Sequence, residues 1–322
     1  MQESGVVCQN RQCVDTGGVR RLVRAAYVGW AAALWVSLAG AQEGAQQRAS
    51  WAVAMRVPEV GRAQARVVVV QLASGRLLAS ARLLDAAKTL ATPGSTLKPL
   101  VLYYALNAGE WNPERRVACS RKLRIGGHQM NCSHPQADPM DAEQALVWSC
   151  NAYFATLAAR LPQGELERAL SEAGLLAATG LVKSESVAEF RKPSTVEQAQ
   201  LAALGVEGVR VTLLELAEAY RHLELELERE PADGAARVVR AGLKESASYG
   251  MASAAGLGGV SVVGKTGTAE AEQGGPTHGW FVGFVPAERP SVVVAVYVPA
   301  GHGADAATVA AAVLSRSPLR TR

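Results

Sequence analysis

The 322-residue sequence predicts an α+β fold on three observations. A β-branched run followed by a second strand lies near the start of the globular part, and further apolar runs lie near the C-terminus. Helical patterns fill the interval between them. We therefore expect the terminal segments to share one antiparallel sheet and the middle to form a helical lobe. A hydrophobic content of 49% excludes a disordered chain.

The first elements follow from apolar patterning and turn residues. Val67–Val70 is a continuous β-branched run and predicts a buried strand. Ser74-Gly75 is a turn, after which Arg76–Ala81 predicts the return strand of a hairpin. Pro93-Gly94 then breaks the chain before a helix predicted over Ser95–Leu106.

The remaining elements are predicted by the same signals. Further helical stretches are expected over Asp141–Leu161 (broken around Ser149–Asn151), Glu165–Leu176, Thr212–Glu228 and Ala304–Leu314. Further strands are expected over Val260–Val263 with Lys265–Ala269, over Gly279–Val285 and over Val292–Val298. Thr212 and Glu215 have the spacing of a capping box, which supports the helix start there.

The N-terminal region predicts export. Basic residues precede the apolar run Ala25–Leu38, and Ala39-Gly40-Ala41 follows it, which is the pattern of a signal peptide. The run is shorter than the about 20 residues of a spanning helix. An uncleaved anchor and a buried core helix stay open as alternatives. Under the two leading interpretations the chain lies in the periplasm or on the outer face of the cytoplasmic membrane.

These boundaries divide the chain into three parts. We expect a signal peptide or anchor over 1–41, a linker or entry helix over 42–65, and the main domain over 66–322. The net charge of +4 lies mostly upstream of the apolar run, so no nucleic-acid partner is expected.

Five cysteines are unusual for an exported chain, but two of them precede the apolar run. Cys119 and Cys132 bracket a short glycine-containing loop, which predicts a disulfide in an oxidising compartment. Cys150 would then be a free thiol. A metal set of Cys119, Cys132, His128 and His134 fits no standard zinc spacing, so no metal is expected.

Three short motifs could carry chemistry. They are Ser95-Thr96-Leu97-Lys98, Ser149-Cys150-Asn151 and Lys265-Thr266-Gly267-Thr268. Each is weak alone, because a serine is often a helix cap, a lysine a solvated side chain and K-T-G a strand end. Their occurrence together, in this order and after an export signal, is much more specific.

The first motif predicts a nucleophile and its base. Helix positions i and i+3 lie about 4.5 Å apart along the axis, so Lys98 can reach the Ser95 hydroxyl. A lysine withdrawn from water beside a second cation can lose its proton near neutral pH and then take the proton of Ser95. Ser149 could relay a proton to the leaving group, and Asn151 could hold a substrate amide.

The third motif predicts substrate binding. Lys265 would bind a substrate carboxylate and disfavour protonation of Lys98. Gly267, between Thr266 and Thr268, would leave room for a substrate backbone along the strand edge. The backbone N–H groups of Ser95 and Thr268 could form an oxyanion hole.

The chain resembles the transpeptidase domain of class B penicillin-binding proteins. The matching segments are Pro93–Pro99, Cys132–His134, Ala145–Leu146 with Ser149–Phe154, Val211–Ala217, and Gly264–Glu270 with Trp280–Phe284. The resemblance implies a five-stranded antiparallel sheet flanked by helices and an all-helical lobe. It also implies an acyl-serine mechanism on the D-Ala-D-Ala ends of peptidoglycan stem peptides, β-lactams as covalent inhibitors, cell-wall synthesis proteins as partners and no cofactor.

Departures from the family leave the activity open. The chain has no room for the N-terminal dimerisation or glycosyltransferase domains of larger members, and Gly205–Gly208 replaces a common Gly-Gln-Gly. Crosslinking, carboxypeptidase and endopeptidase outcomes are therefore all considered. A class D-like β-lactamase, a β-lactam receptor domain and a silent scaffold are the alternatives; the intact motifs and short upstream segment favour an enzyme.

Overall fold

The computed structural model describes residues 6–9, 12–15, 44–135, 139–229, 234–270 and 275–320. The apolar run Ala25–Leu38 and the Ala39-Gly40-Ala41 stretch of the predicted export segment lie outside these ranges. Within them, no helix has both the length and the apolar character needed to cross a membrane. The chain divides into a unit of residues 1–49 and a unit of residues 50–322. The first unit contains strands β1 (Val6–Gln9) and β2 (Gln12–Asp15), which pair antiparallel.

A five-stranded antiparallel sheet forms the centre of the second unit. Its strands are β3 (Arg66–Gln71), β4 (Leu77–Ala81), β9 (Val263–Glu270), β10 (Thr277–Val285) and β11 (Val292–Val298). Their order is β4-β3-β11-β10-β9. The sheet therefore joins strands from both ends of the domain, as predicted, and leaves β9 at an edge.

Helices cover both faces of the sheet and form the lobe beside it. The α-helices are α1 (residues 44–54), α2 (Pro58–Arg62), α3 (Leu83–Lys88), α4 (Lys98–Asn107), α5 (Ala142–Val147), α6 (Asn151–Ala158), α7 (Glu165–Glu172), α8 (Val196–Ala203), α9 (Leu213–Arg229), α10 (Ala235–Ser248) and α11 (Gly303–Leu314). Two 3₁₀ turns lie at Gly94–Leu97 and Ser253–Gly258. Two short hairpins complete the described elements: β5 (Arg124–Ile125) with β6 (His128–Gln129), and β7 (Glu189–Phe190) with β8 (Val209–Arg210).

The valine run of β3 separates two hydrophobic cores. Because side chains alternate along a strand, Val67 and Val69 pack with α11, whereas Val68 and Val70 pack towards α4 and α9. All four valines are fully buried. Because both faces of the strand are covered, the sequence of β3 is apolar without a polar alternation. The sheet thus provides a rigid wall against which the lobe and the site residues are placed.

The segment expected as a linker or entry helix is packed into the domain over its second half. Residues 44–54 are helical, and Trp51 is fully buried in the core that α11 shares. Part of the segment 42–65 is therefore helical and belongs to the domain, because the Trp51 side chain packs on one face of the sheet.

Candidate active site

The first motif folds as a 3₁₀ turn that leads into α4. Ser95 lies in the turn Gly94–Leu97, and Lys98 is the first residue of α4. The sequence had predicted an α-helix beginning at Ser95, whereas the structure has a 3₁₀ turn there. Side chains at i and i+3 eclipse in a 3₁₀ turn, so the turn aligns Ser95 with Lys98 more closely than an α-helix would. Ser95 is half-buried and Lys98 is completely buried. The turn thus places Ser95 and Lys98 at i and i+3 on the same side of the backbone.

Lys98 is bound to the second motif by three hydrogen bonds. Its Nζ donates to the Ser149 carbonyl at 2.7 Å, to Ser149 Oγ at 3.1 Å and to Asn151 Oδ1 at 2.7 Å. Burial lowers the pKa of Lys98 to about 8, because the charged amine loses its hydration. The first two motifs therefore meet at this lysine.

The bend that carries the second motif has an unusual backbone. Ser149 follows α5 with a positive φ of 55°, a conformation that non-glycine residues adopt only at some cost. The N–H of Cys150 then bonds the carbonyl of Ala145 at 2.9 Å, which closes α5, and Asn151 begins α6. The left-handed residue turns the Ser149 side chain towards Lys98.

The amide of Asn151 is bound on both sides. Its Oδ1 accepts from Lys98, and its Nδ2 donates to the Asn131 carbonyl at 3.1 Å. The sequence had assigned this amide to the substrate. In the structure it orients the lysine and the Asn131 loop, and its second N–H donor is still available to a substrate.

Strand β9 places Lys265 in the interior next to Lys98. Lys265 is completely buried, and its Nζ donates to the Thr266 carbonyl at 3.0 Å. Burial lowers the pKa of Lys265 well below its ordinary value, and the charge of Lys98 lowers it further. The two lysines are therefore close enough for the charge of Lys98 to disfavour the charged form of Lys265.

The two threonine hydroxyls of the third motif are bound to neighbouring backbone groups. Thr266 Oγ1 donates to the Met251 carbonyl at 3.2 Å, and Thr268 Oγ1 accepts from the Gly303 N–H at 2.8 Å. Thr268 thereby joins the edge strand to the start of α11. These side chains hold the strand in position.

Gly267 is required by the nucleophile turn. A Cβ at this position would lie 2.5 Å from the Pro93 carbonyl oxygen and 2.9 Å from Thr96 Cγ2. The sequence analysis had attributed this glycine to room for a substrate. The structure gives a different reason, which is the close approach of the turn to β9. Gly205 packs similarly, since its Cβ would lie 2.3 Å from the Gly94 carbonyl oxygen.

Three residues to which the sequence analysis assigned no individual role hold the turn from outside. Tyr220, buried on α9, donates from its hydroxyl to the Thr96 carbonyl at 2.8 Å. Trp280 Nε1 and His278 Nε2 both donate to the Thr92 carbonyl, at 2.9 and 2.8 Å. Each of the three lies among apolar residues, where the sequence pattern predicts only that the side chain is buried in the core. The contacts with the turn become visible only in the folded structure.

The predicted disulfide between Cys119 and Cys132 is not formed. Both residues and Cys150 are free thiols, and Cys132 Sγ lies 3.9 Å from Cys150 Sγ. The bend after α5 brings Cys150 to the loop cysteines, a proximity that chain spacing does not show. His128, which the sequence offered as a metal ligand, instead lies 3.2 Å from Glu207 near the surface.

The sheet, the helical lobe and the three motifs at their junction define the class of penicillin-recognising serine enzymes. A family model for the penicillin binding protein transpeptidase domain matches residues 65–317. The chain belongs to this family.

Curated relatives carry the same domain in longer proteins. The probable peptidoglycan D,D-transpeptidase PenA of Neisseria gonorrhoeae is 28% identical over 246 residues, covering 66% of this chain and 40% of that protein. PenA of Neisseria meningitidis serogroup B matches with the same identity and coverage. The chain thus spans less than half the length of these relatives.

Solved structures show the same fold. The transpeptidase domain of penicillin-binding protein 3 from Burkholderia pseudomallei superposes with a TM-score of 0.73 at 21% identity, covering 84% of this chain and 93% of that one. Pseudomonas aeruginosa PBP2, solved in complex with WCK 5153, gives a TM-score of 0.66 at 20% identity, covering 80% and 75%. At these identities the likeness establishes the architecture.

Proposed function

We propose that the chain is a serine D,D-transpeptidase-type enzyme that acts on the D-Ala-D-Ala ends of peptidoglycan stem peptides outside the cytoplasm. The observation that carries the proposal is the buried Lys98, which lies one 3₁₀ turn after Ser95 and binds both polar residues of the second motif. This arrangement supplies a nucleophile, a base and a proton relay at one point.

Acylation begins with the neutral form of Lys98. The Ser95 hydroxyl attacks the carbonyl carbon between the two D-alanines, and its proton passes to Lys98 Nζ. A pKa of about 8 leaves part of Lys98 unprotonated near neutral pH. Collapse of the tetrahedral intermediate breaks the peptide bond, and Ser149 Oγ transfers a proton from Lys98 to the departing amine of D-alanine.

Lys265 serves the substrate carboxylate in this scheme. An incoming carboxylate brings the opposite charge into a buried site, which favours the protonated form of Lys265. The acyl group on Ser95 then passes to an amine of a neighbouring stem peptide, which gives a crosslink. Transfer to water instead would give a carboxypeptidase.

The test is covalent labelling with a fluorescent penicillin. We expect one label per chain, and peptide mapping should place it on Ser95. Ser95→Ala should lose all labelling while circular dichroism stays unchanged, whereas the matched variant of an exposed serine, Ser253→Ala, should label normally. Labelling that persists in Ser95→Ala, or that maps to Ser149, would contradict the assignment.

The substrate class has a separate measurement. A stem pentapeptide ending in D-Ala-D-Ala, incubated with an amine acceptor, should release D-alanine and yield the transfer product. The same peptide ending in L-Ala-L-Ala should give neither. Release from both peptides would show that the enzyme does not select the D,D end.

A further inference from the structure

A cluster of four metal-ligating side chains lies beside the second motif. One ligand atom from each of Cys119, Cys132, His134 and Cys150 lies within 4.8 Å of all the others. Cys132, His134 and Cys150 are buried, and Cys119 is half-buried. The four come from the loop around β5 and β6 and from the bend between α5 and α6.

The spacing of the sulfurs matches metal coordination better than a disulfide. Zinc–sulfur bonds of about 2.3 Å at tetrahedral angles place neighbouring sulfurs about 3.8 Å apart. The Cys132 and Cys150 sulfurs lie 3.9 Å apart. A disulfide would use only two of the four ligand atoms and would leave His134 Nε2 without a partner among the described residues.

His134 supplies an independent observation that points to a metal ligand. Its Nδ1 donates to the Pro135 carbonyl at 2.7 Å, which leaves the lone pair on Nε2. Nε2 is buried and has no hydrogen-bond partner among the described residues. Water cannot easily replace that partner, because only 1% of the residue is exposed. A histidine whose other nitrogen donates to a backbone carbonyl is the usual form of a metal ligand.

We propose that Cys119, Cys132, His134 and Cys150 bind a structural zinc ion. Three thiolates and an imidazole in a tetrahedral set are typical zinc ligands. Four protein ligands close the coordination sphere, so the ion would hold the chain together rather than activate water. The backbone N–H of Asn151 already donates to Cys132 Sγ at 3.2 Å, a contact that also supports a metal-bound thiolate.

The position of the site gives the ion a role next to the catalytic machinery. Cys150 lies between Ser149 and Asn151, the two residues whose side chains accept hydrogen bonds from Lys98. A zinc bound there would tie this bend to the Cys119–His134 loop and fix its geometry. The zinc ligands are therefore positioning residues for the second motif.

The test measures metal content directly and does not depend on the proposed activity. The full chain, purified without a histidine tag, is loaded with zinc, freed of excess ion by dialysis and analysed by plasma mass spectrometry. We expect one zinc per chain. Cys150→Ser and His134→Ala should lose it, whereas the matched variants His128→Ala and Cys8→Ser with Cys13→Ser should retain it.

Measurements on the unaltered chain cover the case in which a ligand variant fails to fold. Cobalt in place of zinc should give the visible bands of a tetrahedral ion and a sulfur-to-cobalt charge-transfer band. Removal of zinc by a chelator should lower the melting temperature and slow penicillin labelling. An unaltered chain without stoichiometric zinc, an octahedral cobalt spectrum, or a mapped disulfide between any two of the three cysteines would overturn the proposal.

Discussion

At the scale of single residues, Ser149 combines a strained backbone with a hydrogen bond to Lys98. Its φ is 55°, and its hydroxyl lies 3.1 Å from Lys98 Nζ. Ser149→Ala and Ser149→Gly both remove the hydroxyl, so both should slow acylation to a similar extent. Only glycine relieves the left-handed backbone, by about 1 kcal/mol. Chemical denaturation should therefore show the glycine variant to be the more stable of the two; equal stability would mean that the conformation stores no strain.

Glu224 is a buried carboxyl that should make stability depend on pH. It lies on α9 and pairs with Arg240 of α10 at 2.7 Å. Burial raises its pKa from 4.5 to about 7, although Arg240 opposes the shift. The folded state therefore keeps this proton up to a higher pH than the unfolded chain does. The free energy of unfolding should fall as the pH rises from about 4.5 to about 7.

The variant Glu224→Gln tests this dependence. The variant removes the titrating group but retains an acceptor for Arg240. Its free energy of unfolding, relative to that of the unaltered chain, should therefore rise by on the order of 1–3 kcal/mol between pH 4 and pH 8. The exposed Glu226 on the same helix provides the control, and Glu226→Gln should change the pH profile little. A profile unaffected by Glu224→Gln would show that folding does not shift the pKa of this carboxyl.

At the scale of elements, the contact between the nucleophile turn and β9 depends on glycine. A Cβ on Gly267 would meet two atoms of the turn at less than 3 Å, one of them a backbone oxygen that cannot move alone. Gly267→Ala should therefore destabilise the fold by about 1–3 kcal/mol and slow penicillin acylation by displacing Ser95. A Cβ on Gly61, in α2, would meet no atom of another element within 4 Å, so Gly61→Ala should be neutral or slightly stabilising. Normal acylation by Gly267→Ala would show that the turn tolerates displacement.

The elements also show what the sequence could predict and why. The β3–β4 hairpin, β11 and the split into α5 and α6 were predicted because valine runs, a glycine turn and a polar break are local signals. Helix α10 was not predicted. The 3₁₀ turn at Ser95 was missed because it depends on packing against Gly205 and Gly267, which are distant in sequence. The cysteine cluster was missed for the same reason, since its fourth member joins from a separate bend.

At the scale of the whole molecule, the sheet explains how distant motifs reach one site. Strands from the two ends of the domain meet at β3 and β11, and this pairing brings β9 with Lys265 beside the start of α4. The helical lobe then adds Ser149 and Asn151 from its own α5–α6 bend. The geometry of the candidate site therefore depends on the contact between sheet and lobe, which no isolated segment contains.

The surroundings of Lys98 separate a transpeptidase from a β-lactamase. Rapid β-lactam hydrolysis needs a base that activates water against the acyl-enzyme. In class D-like enzymes a modified lysine in an apolar pocket has this role, whereas Lys98 Nζ is bound by three oxygen acceptors. These contacts oppose modification of the amine, so Lys98 would not become the modified base of class D-like enzymes. We therefore expect the penicilloyl adduct on Ser95 to persist for many minutes or longer.

The measurement follows the adduct mass after excess penicillin is removed, with nitrocefin hydrolysis recorded in parallel. Slow loss of the adduct and negligible nitrocefin turnover are the expected results. A labelling-competent chain that turned over nitrocefin faster than about 1 s⁻¹, the low end for ordinary enzymes, would instead be a β-lactamase. In that case bicarbonate should stimulate turnover, because a carboxylated lysine would have to be the base. Stimulation would require the three contacts of Lys98 to open, so the fast outcome also predicts a rearranged Ser149–Asn151 bend in the acylated enzyme.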